Sequence, residues 1–177
     1  HAAPLFTDLK SYNVGTLAPA WTHRNGDMAA AQGQPSSVSA QSTPILLPPQ
    51  AGEHLVYCTP FNRVIALDPR TGRERWTYDP QLRRTSERPY RCRGVAYAEV
   101  PQVAVAAACR HRIYTATNAR RLIALDARDG KPCDGFGARG VVTLAEHERY
   151  GLEQVSTSSS PVVANGVVVV GSSVIDF

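Results

Sequence analysis

The sequence lacks any long apolar run. No stretch of its 177 residues approaches the roughly 18–20 apolar residues that a membrane-spanning helix requires. The first residues, 1–4, also show no basic segment followed by an apolar core. We therefore expect no membrane helix in this stretch, and we expect any signal or anchor segment to have been removed or to lie outside it.

A strong excess of charge is missing as well. Lys and Arg total 19 and Asp and Glu total 15, which gives a net charge of +4. The densest basic piece, residues 83–93, is interrupted by Glu87, Pro89 and Cys92, so it does not form a phosphate-binding stripe. The sequence therefore argues against nucleic-acid binding, while 43% hydrophobic and 19% charged residues are typical of a folded domain.

Cysteine is sparse, and the four cysteines contain no CxxC pair. Their spacing argues against a zinc ribbon or a thioredoxin-like motif. An even number allows one or two disulfides in an oxidising compartment, with three complete pairings, but buried reduced thiols fit the sequence equally well. The residues concerned are Cys58, Cys92, Cys109 and Cys133.

Helical periodicity is weak, and the apolar segments are short and bounded by turn residues. This pattern predicts an antiparallel meander. The predicted strands are residues 42–47, 54–59, 63–67, 75–78, 103–109, 113–117, 122–125 and 141–144. Near the end, Asn165-Gly166 separates residues 161–164 from 167–170 and predicts a β-hairpin, because this dipeptide accepts the positive φ angles of a type I′ turn.

Three segments carry no clear strand pattern. Residues 27–41 and 79–91 read as long loops. Long loops on a β scaffold are commonly functional, but these two could equally be plain solvent-exposed connections. Residues 144–152 could form a short surface helix or an irregular loop.

An internal repeat is the most informative feature of the chain. Residues 64–72 and 122–130 share the frame apolar-Ile-Ala-Leu-Asp-x-Arg-x-Gly, and 58 residues separate Ala66 from Ala124. The apolar part reads as a strand, the Asp can accept backbone N–H groups of the next turn, and the Gly supplies a positive φ. A repeat of this length predicts stacked or radially arranged units.

Trp76 follows Ala66 by ten residues in the first copy. A ring at this position can dock between neighbouring sheets and bury about 200 Å². The equivalent position of the second copy is Asp134, with Phe136 nearby, so that copy has lost or moved its docking aromatic.

The Ala-x-Asp-x-x-x-Gly-x-x-x-Trp element at residues 66–76 resembles the tryptophan-docking motif of quinoprotein β-propellers. Further motifs resemble the membrane-bound glucose and quinate dehydrogenase branch of that family, in the same order, over about residues 12–176. They lie at residues 17–27, 42–45, 57–60, 78–80, 92–97, 109–113, 137–141 and 170–176, and Cys-Arg-Gly-Val-Ala-Tyr at 92–97 is the most specific.

The resemblance implies an all-β fold, namely part of an eight-bladed quinoprotein β-propeller. About three four-stranded antiparallel blades with tryptophan-docking motifs would lie near residues 12–80, 81–136 and 137–177. Closed propellers usually have about 4–8 blades. We therefore expect the chain to be the N-terminal portion of a longer propeller domain, or a truncated product that self-associates through its open blade faces.

The resemblance also implies a site for pyrroloquinoline quinone (PQQ) and a Ca²⁺ or Mg²⁺ ion. Arg93 matches the family arginine that contacts the quinone, and Ser158 falls where a Thr or Ser meets a cofactor carboxylate. Ser173 falls where a backbone or hydroxyl donor approaches, and Asp176 matches a carboxylate ligand of the metal ion. Each has an ordinary alternative: a surface arginine, a serine-rich loop or a solvated carboxylate.

Three positions depart from the family pattern. Gln41 stands where the family has a glutamate at the cofactor, and its amide can still form hydrogen bonds without bringing a negative charge. Pro89 stands where this branch has a histidine near the quinone, and Phe177 replaces an asparagine metal ligand. The family's catalytic aspartate and cofactor-contacting lysine have no counterpart here, so we expect no catalytic residue in this chain.

The resemblance therefore implies part of a PQQ-dependent sugar or polyol dehydrogenase of the glucose or quinate type. Such an enzyme oxidises an alcohol and passes electrons to ubiquinone, in the periplasm and attached to the inner membrane, and this chain alone would be incomplete and inactive. One alternative is a non-catalytic propeller scaffold or binding module with a degenerate cofactor site. Another is a small secreted lectin-like β domain, which leaves the repeat unexplained.

Overall fold

The computed structural model describes residues 14–31, 38–83, 90–144, 155–157 and 159–174. Helix in these residues is confined to 3₁₀ turns at Val14–Thr16 and Pro49–Ala51 and to α1 at Asp27–Ala30. No helix in the described part of the chain is long and apolar enough to cross a membrane. The strands are β1 (Val38–Thr43), β2 (Ile45–Leu46), β3 (Leu55–Cys58), β4 (Val64–Leu67), β5 (Glu74–Tyr78), β6 (Tyr90–Gly94), β7 (Ala96–Glu99), β8 (His111–Ala116), β9 (Arg121–Asp126), β10 (Val141–Thr143), β11 (Val155–Ser156), β12 (Val162–Ala164), β13 (Val167–Val169) and β14 (Ser173–Val174).

Two four-stranded sheets dominate the described residues. The first has the order β2-β3-β4-β5 and the second the order β10-β9-β8-β7. Every neighbouring pair in both sheets is antiparallel, and strands that are consecutive in the chain lie side by side. The prediction of four-stranded antiparallel blades is confirmed, while the blade limits near residues 12–80, 81–136 and 137–177 stay a prediction.

The hydrophobic core lies between these two sheets. All four residues of β4 are buried, and in β9 every residue after Arg121 is buried. Val64 and Ala66 of β4 belong to the same apolar cluster as Ile123 and Leu125 of β9. The two copies of the repeat are apolar on both faces because they are the central strands of stacked sheets.

The turns after β4 and β9 have the same construction. Asp68 accepts backbone hydrogen bonds from Arg70 and Thr71, and Asp126 accepts one from Arg128 in the same way. Gly72 and Gly130 close these turns with φ angles of 69° and 73°. The roles predicted for the repeated Asp and Gly are confirmed.

Each of these turns receives a tryptophan from the preceding part of the chain. The Trp21 indole N–H donates to the Pro69 carbonyl at 3.1 Å, and the Trp76 N–H donates to the Ala127 carbonyl at 3.3 Å. The first copy's tryptophan thus docks on the second copy's turn, as the repeat predicted. Phe136 instead packs edge-to-face on Tyr114 at a centroid distance of 5.5 Å within the second sheet.

Four predicted segments need correction or restriction. The strand predicted at 103–109 is wrong: residues 101–109 form tight turns, with Val103 N–H donating to Val100 and Ala107 N–H donating to Ala104. The loops predicted at 27–41 and 79–91 are wrong in part, because they contain α1, most of β1 and the start of β6. The helix or loop proposed for 144–152 lies, after Leu144, outside the described residues.

The predicted hairpin is confirmed. Strands β12 and β13 pair with Ala164 opposite Val167, and Asn165 and Gly166 form the turn with φ angles of 49° and 76°.

Candidate functional site

Strands β1 and β6 form a parallel pair that carries the first site residues. Ala40 pairs with Cys92 and Thr43 with Gly94, so two residues of β1 stand opposite Arg93 alone. This irregularity is a β-bulge, which redirects side chains locally. The parallel pairing needs a long crossover, and here it is made by the whole of the first sheet.

The bulge brings Arg93 and Gln41 together, although 52 residues separate them. Arg93 Nε donates a hydrogen bond to Gln41 Oε1 at 3.3 Å, and both side chains are exposed. Among the described residues, Arg93 has no carboxylate partner. Three other arginines pair with carboxylates, namely Arg63 with Asp27, Arg75 with Asp68 and Arg110 with Glu99. The outer edge of the Arg93 guanidinium is therefore available to an anion.

The cysteine pairing that the sequence left open is decided by the structure. Cys58 is bonded to Cys92, and Cys109 to Cys133, so the alternative of reduced thiols is wrong. The Cys58–Cys92 bond joins β3 to β6 next to Arg93. It therefore anchors the arginine's strand to the first four-stranded sheet.

A serine-rich segment packs beside this pair of strands. A Cβ atom added to Gly94 would lie 2.5 Å from Ser160 Oγ, and one added to Gly171 would lie 3.0 Å from Ser159 Oγ. The backbone of Ser173 pairs with Ser156 between β14 and β11. The close approach at Gly94 brings this segment next to Arg93, which needs a residue without a side chain at position 94.

Several predicted site residues lie outside the described residues. These are Ser158, Asp176, Phe177 and Pro89, and their roles stay predictions together with the side-chain role of Ser173. In the part of the chain that the structure describes, no group of three or more His, Cys, Asp or Glu side chains could hold a metal ion.

The donor set around Arg93 fits a ligand that carries carboxylates. A guanidinium is permanently charged and binds carboxylates with two parallel hydrogen bonds. Gln41 takes up the Nε–H without neutralising the charge, since its side chain is an uncharged amide. The described residues therefore suit the anionic cofactor implied by the resemblance.

A second polar cluster lies close to β1, in a cleft of about 280 Å³ that Ala40 and Ser42 also line. His23 Nε2 donates to Glu74 at 2.8 Å, and the Tyr57 hydroxyl donates to His23 Nδ1 at 2.9 Å. Burial raises the pKa of Tyr57, and the hydrogen bond from His23 lowers the pKa of Glu74. The protonated Tyr57 hydroxyl is therefore a hydrogen-bond donor that orients the His23 ring towards Glu74.

Sequence reasoning missed two residues of the site's surroundings. Ser42 accepts the backbone N–H of Cys58 at 3.2 Å, and Ser160 covers Gly94. The even number of cysteines indicates a disulfide, and the glycine after Arg93 indicates a close contact. Neither signal identifies Ser42 or Ser160 as the contacting residue.

Comparison with known proteins identifies the family. The family model for the β-propeller domain of PQQ glucose, ethanol and alcohol dehydrogenases matches residues 4–177. The chain belongs to this family. The resemblance to quinoprotein dehydrogenases is thus confirmed, and the lectin-like alternative is wrong because the match covers nearly the whole chain.

Individual relatives agree with this assignment. The chain is 35% identical over 182 residues to the quinoprotein glucose dehydrogenase of Escherichia coli (strain K12), covering 97% of this chain and 22% of the relative. It is 34% identical over 181 residues to the quinate/shikimate dehydrogenase (quinone) of Acinetobacter baylyi (strain ATCC 33305 / BD413 / ADP1), covering 93% and 21%. The chain therefore spans about a fifth of the length of these curated relatives.

A solved structure confirms the fold. A europium-containing methanol dehydrogenase superposes with a TM-score of 0.65 at 21% identity, covering 94% of this chain and 24% of that chain. The PQQ β-propeller family consists of oxidoreductases that use PQQ, so the predicted fold class and enzyme family are both confirmed.

Proposed function

We propose that this chain is part of a PQQ-dependent dehydrogenase that oxidises an alcohol group of a sugar or polyol of the glucose or quinate type. The observation that carries the proposal is the Arg93–Gln41 pair in the bulge between β1 and β6, with a guanidinium edge exposed and not paired with a carboxylate among the described residues. The family match and the glucose and quinate relatives support the substrate class.

The chemistry divides between the cofactor and the chain. PQQ, when bound, supplies the quinone that accepts the two electrons removed from the alcohol. Arg93 binds and orients an anionic group at its free edge, while Gln41 restrains the Nε side of the guanidinium. Ser158 and Ser173 are proposed as further donors to the cofactor, and Asp176 as a ligand of a Ca²⁺ or Mg²⁺ ion.

We also propose that the chain alone is incomplete and inactive. It spans about a fifth of its curated relatives, and its series of family motifs contains no counterpart of the family's catalytic aspartate or cofactor-contacting lysine. Electron transfer to ubiquinone, a periplasmic location attached to the inner membrane and self-association through open sheet faces belong to the same proposal. The two disulfides support an oxidising compartment, because thiols stay reduced in the cytosol of most organisms.

Isothermal titration calorimetry of the protein with PQQ, in the presence of Ca²⁺, tests the cofactor site. We expect a Kd tighter than about 1 mM, and we expect Arg93→Ala to weaken it about tenfold or more, since a charge-assisted hydrogen bond is lost. Arg93→Lys should fall between the two, because it keeps the charge without the planar fork. Arg73→Ala, at another exposed arginine, is the matched control and should leave the affinity unchanged.

Equal effects of Arg93→Ala and Arg73→Ala would remove Arg93 from the site. Full dehydrogenase turnover by this chain alone would contradict its proposed incompleteness.

A non-catalytic scaffold or binding module is the second candidate. The observation that favours it is Gln41, an uncharged residue in place of the family's glutamate, engaged by Arg93 itself. This candidate predicts a folded protein with no measurable affinity for PQQ up to millimolar concentration in the same titration.

A further inference from the structure

Cys58, buried in the first sheet, contacts the residue that precedes Arg93 in the sequence and the residue that follows Gln41. In β6, Cys92 precedes Arg93 and is joined to Cys58 by the disulfide. In β1, Ser42 follows Gln41, and its hydroxyl accepts the Cys58 backbone N–H at 3.2 Å. The hydrogen bond from Arg93 to Gln41 then closes a ring of contacts through all five residues.

The Ser42 hydroxyl makes a second contact with the disulfide. Its Oγ lies 3.4 Å from Cys58 Sγ, and because a disulfide sulfur carries no proton, the hydroxyl is the donor. One serine side chain therefore holds both the backbone and the sulfur of Cys58. The strand that carries Gln41 is tied to Cys58 at the residue next to the glutamine.

The site residues need such an anchor. Arginine and glutamine side chains lose considerable rotamer entropy when they are held in one geometry. Within the described residues, β1 and β6 pair only with each other and belong to neither four-stranded sheet. A two-stranded unit has little stability of its own, so its position depends on links to a larger sheet. Cys58, which is 1% exposed, provides that link.

We propose that the Cys58–Cys92 disulfide and Ser42 are positioning residues that hold Arg93 and Gln41 in the geometry of the cofactor site. They act through the two site residues and need no contact with the cofactor. This inference rests on the proposed function, and it assigns a specific task to one of the two disulfides.

The second disulfide serves as a matched control. Cys109–Cys133 closes a segment of similar length, with a sequence separation of 24 residues against 34. Both bonds are therefore expected to constrain the unfolded chain to a similar extent. Cys133 packs in an apolar cluster with Tyr114 and Leu122 that is separate from the cluster containing Cys58 and Cys92.

The first measurement needs no cofactor. The order parameter of the Arg93 Nε–H group is measured by ¹⁵N NMR in the intact protein, in C58A/C92A, in C109A/C133A and in Ser42→Ala. We expect a restrained group in the unaltered protein and in C109A/C133A, and a value below about 0.6, typical of flexible groups, in C58A/C92A. Ser42→Ala, which keeps both disulfides, should give an intermediate value.

The proposal is overturned if Arg93 is already flexible in the unaltered protein. It is also overturned if the two disulfide variants change the Arg93 order parameter equally, since that result assigns both bonds a general stabilising role. Ser42→Ala keeps the test decisive should C58A/C92A fail to fold, because an unchanged order parameter in this variant contradicts the ring of contacts.

The second measurement is the affinity for PQQ with Ca²⁺. We expect C58A/C92A to weaken the affinity about tenfold, which corresponds to the loss of one hydrogen bond to a charged group. C109A/C133A should leave the affinity unchanged. If PQQ binds and Arg93→Ala weakens this binding, but the two disulfide variants have the same affinity for PQQ, the positioning role fails and the proposed function stands. If Arg93→Ala has no effect on PQQ binding, the proposed function fails, while the NMR result still decides whether Arg93 is held.

Discussion

His54 is a buried residue that the proposed site does not use, and it links the two sheets. It is 6% exposed, its Nε2–H donates to the Arg128 carbonyl at 3.2 Å, and its ring meets Trp76 edge-on. Its Nδ1 is buried without a hydrogen-bond partner among the described residues. Burial lowers the pKa of His54, the hydrogen bond to the Arg128 carbonyl opposes this, and Arg75 and Asp68 lower and raise the pKa by smaller amounts.

This lowered pKa predicts a loss of stability in mild acid. Well above pH 6.5 the ring is neutral in both the folded and the unfolded protein, so His54 contributes nothing there to the pH dependence of stability. As the pH falls below the ordinary value of 6.5, the unfolded protein binds the proton first, so the free energy of unfolding decreases until the folded pKa is passed. Denaturant unfolding between pH 7.5 and 5 should therefore show a steeper decrease for the unaltered protein than for His54→Gln. Parallel pH profiles for the two proteins would contradict this assignment.

Single residues of the site show how far sequence reasoning reaches. Arg93 could be chosen because a motif surrounds it, and the structure gives it an exposed guanidinium edge. Its partner Gln41 was chosen from the same resemblance, but their contact depends on the register of two strands that are far apart in the chain. Local sequence carries no signal for such a register.

At the scale of elements, the tryptophan-on-turn contact joins one sheet to the next. Trp76 leaves β5 and covers Gly130 in the turn after β9, where a Cβ atom would overlap the indole ring. The same arrangement of Trp21 over Gly72 precedes it in the chain. In both cases the glycine that the indole covers closes the turn after a central strand, with a positive φ angle.

Substitutions at this contact should separate packing from backbone effects. We expect Trp76→Ala to lower the free energy of unfolding by about 3 kcal/mol through lost packing, and Trp76→Phe by about 1 kcal/mol or more through the lost hydrogen bond. Gly130→Ala should cost about 2–3 kcal/mol, because it combines a positive φ with the overlap on Trp76. Chemical denaturation measures each value.

Gly166→Ala is the control for Gly130→Ala. Gly166 has a φ angle of 76°, close to the 73° of Gly130, but an added Cβ would meet nothing within 4 Å. Only the backbone cost of about 1 kcal/mol is expected there. Similar losses at the two glycines would show that Trp76 does not press on the turn.

At the scale of the whole molecule, the last hairpin leaves one apolar face exposed. Val163 and Val168 pack against the second sheet's cluster. On the other face, Val162, Val167 and Val169 are 56–60% exposed, and Val162 stands opposite Val169 in the register. Such a row of valines on a two-stranded unit favours association with another apolar surface.

We therefore expect the protein to associate in a concentration-dependent manner in analytical ultracentrifugation. Val167→Lys combined with Val169→Lys should weaken the association about tenfold or more, because two apolar side chains leave the contact. Val105→Lys is the control, since Val105 is 73% exposed but lies in the turns before β8. A protein that stays monomeric at millimolar concentration would contradict the proposed self-association.

The sequence by itself determined the β class, the turn chemistry and the repeat. These features depend on contacts within a few residues: the buried run of β4, Asp68 with the next two N–H groups, and Asn165-Gly166 in the hairpin. The same short range explains the error at residues 103–109, where apolar residues without a partner strand form turns instead.

Only the tertiary structure decided the cysteine pairing, the parallel pairing of β1 with β6, and the contact of Arg93 with Gln41. Each of these depends on where segments that are separated in the chain meet in the folded protein. Polar segments such as residues 38–41 become strand because a partner's backbone groups are available to them, and that availability is a property of the folded chain rather than of the segment.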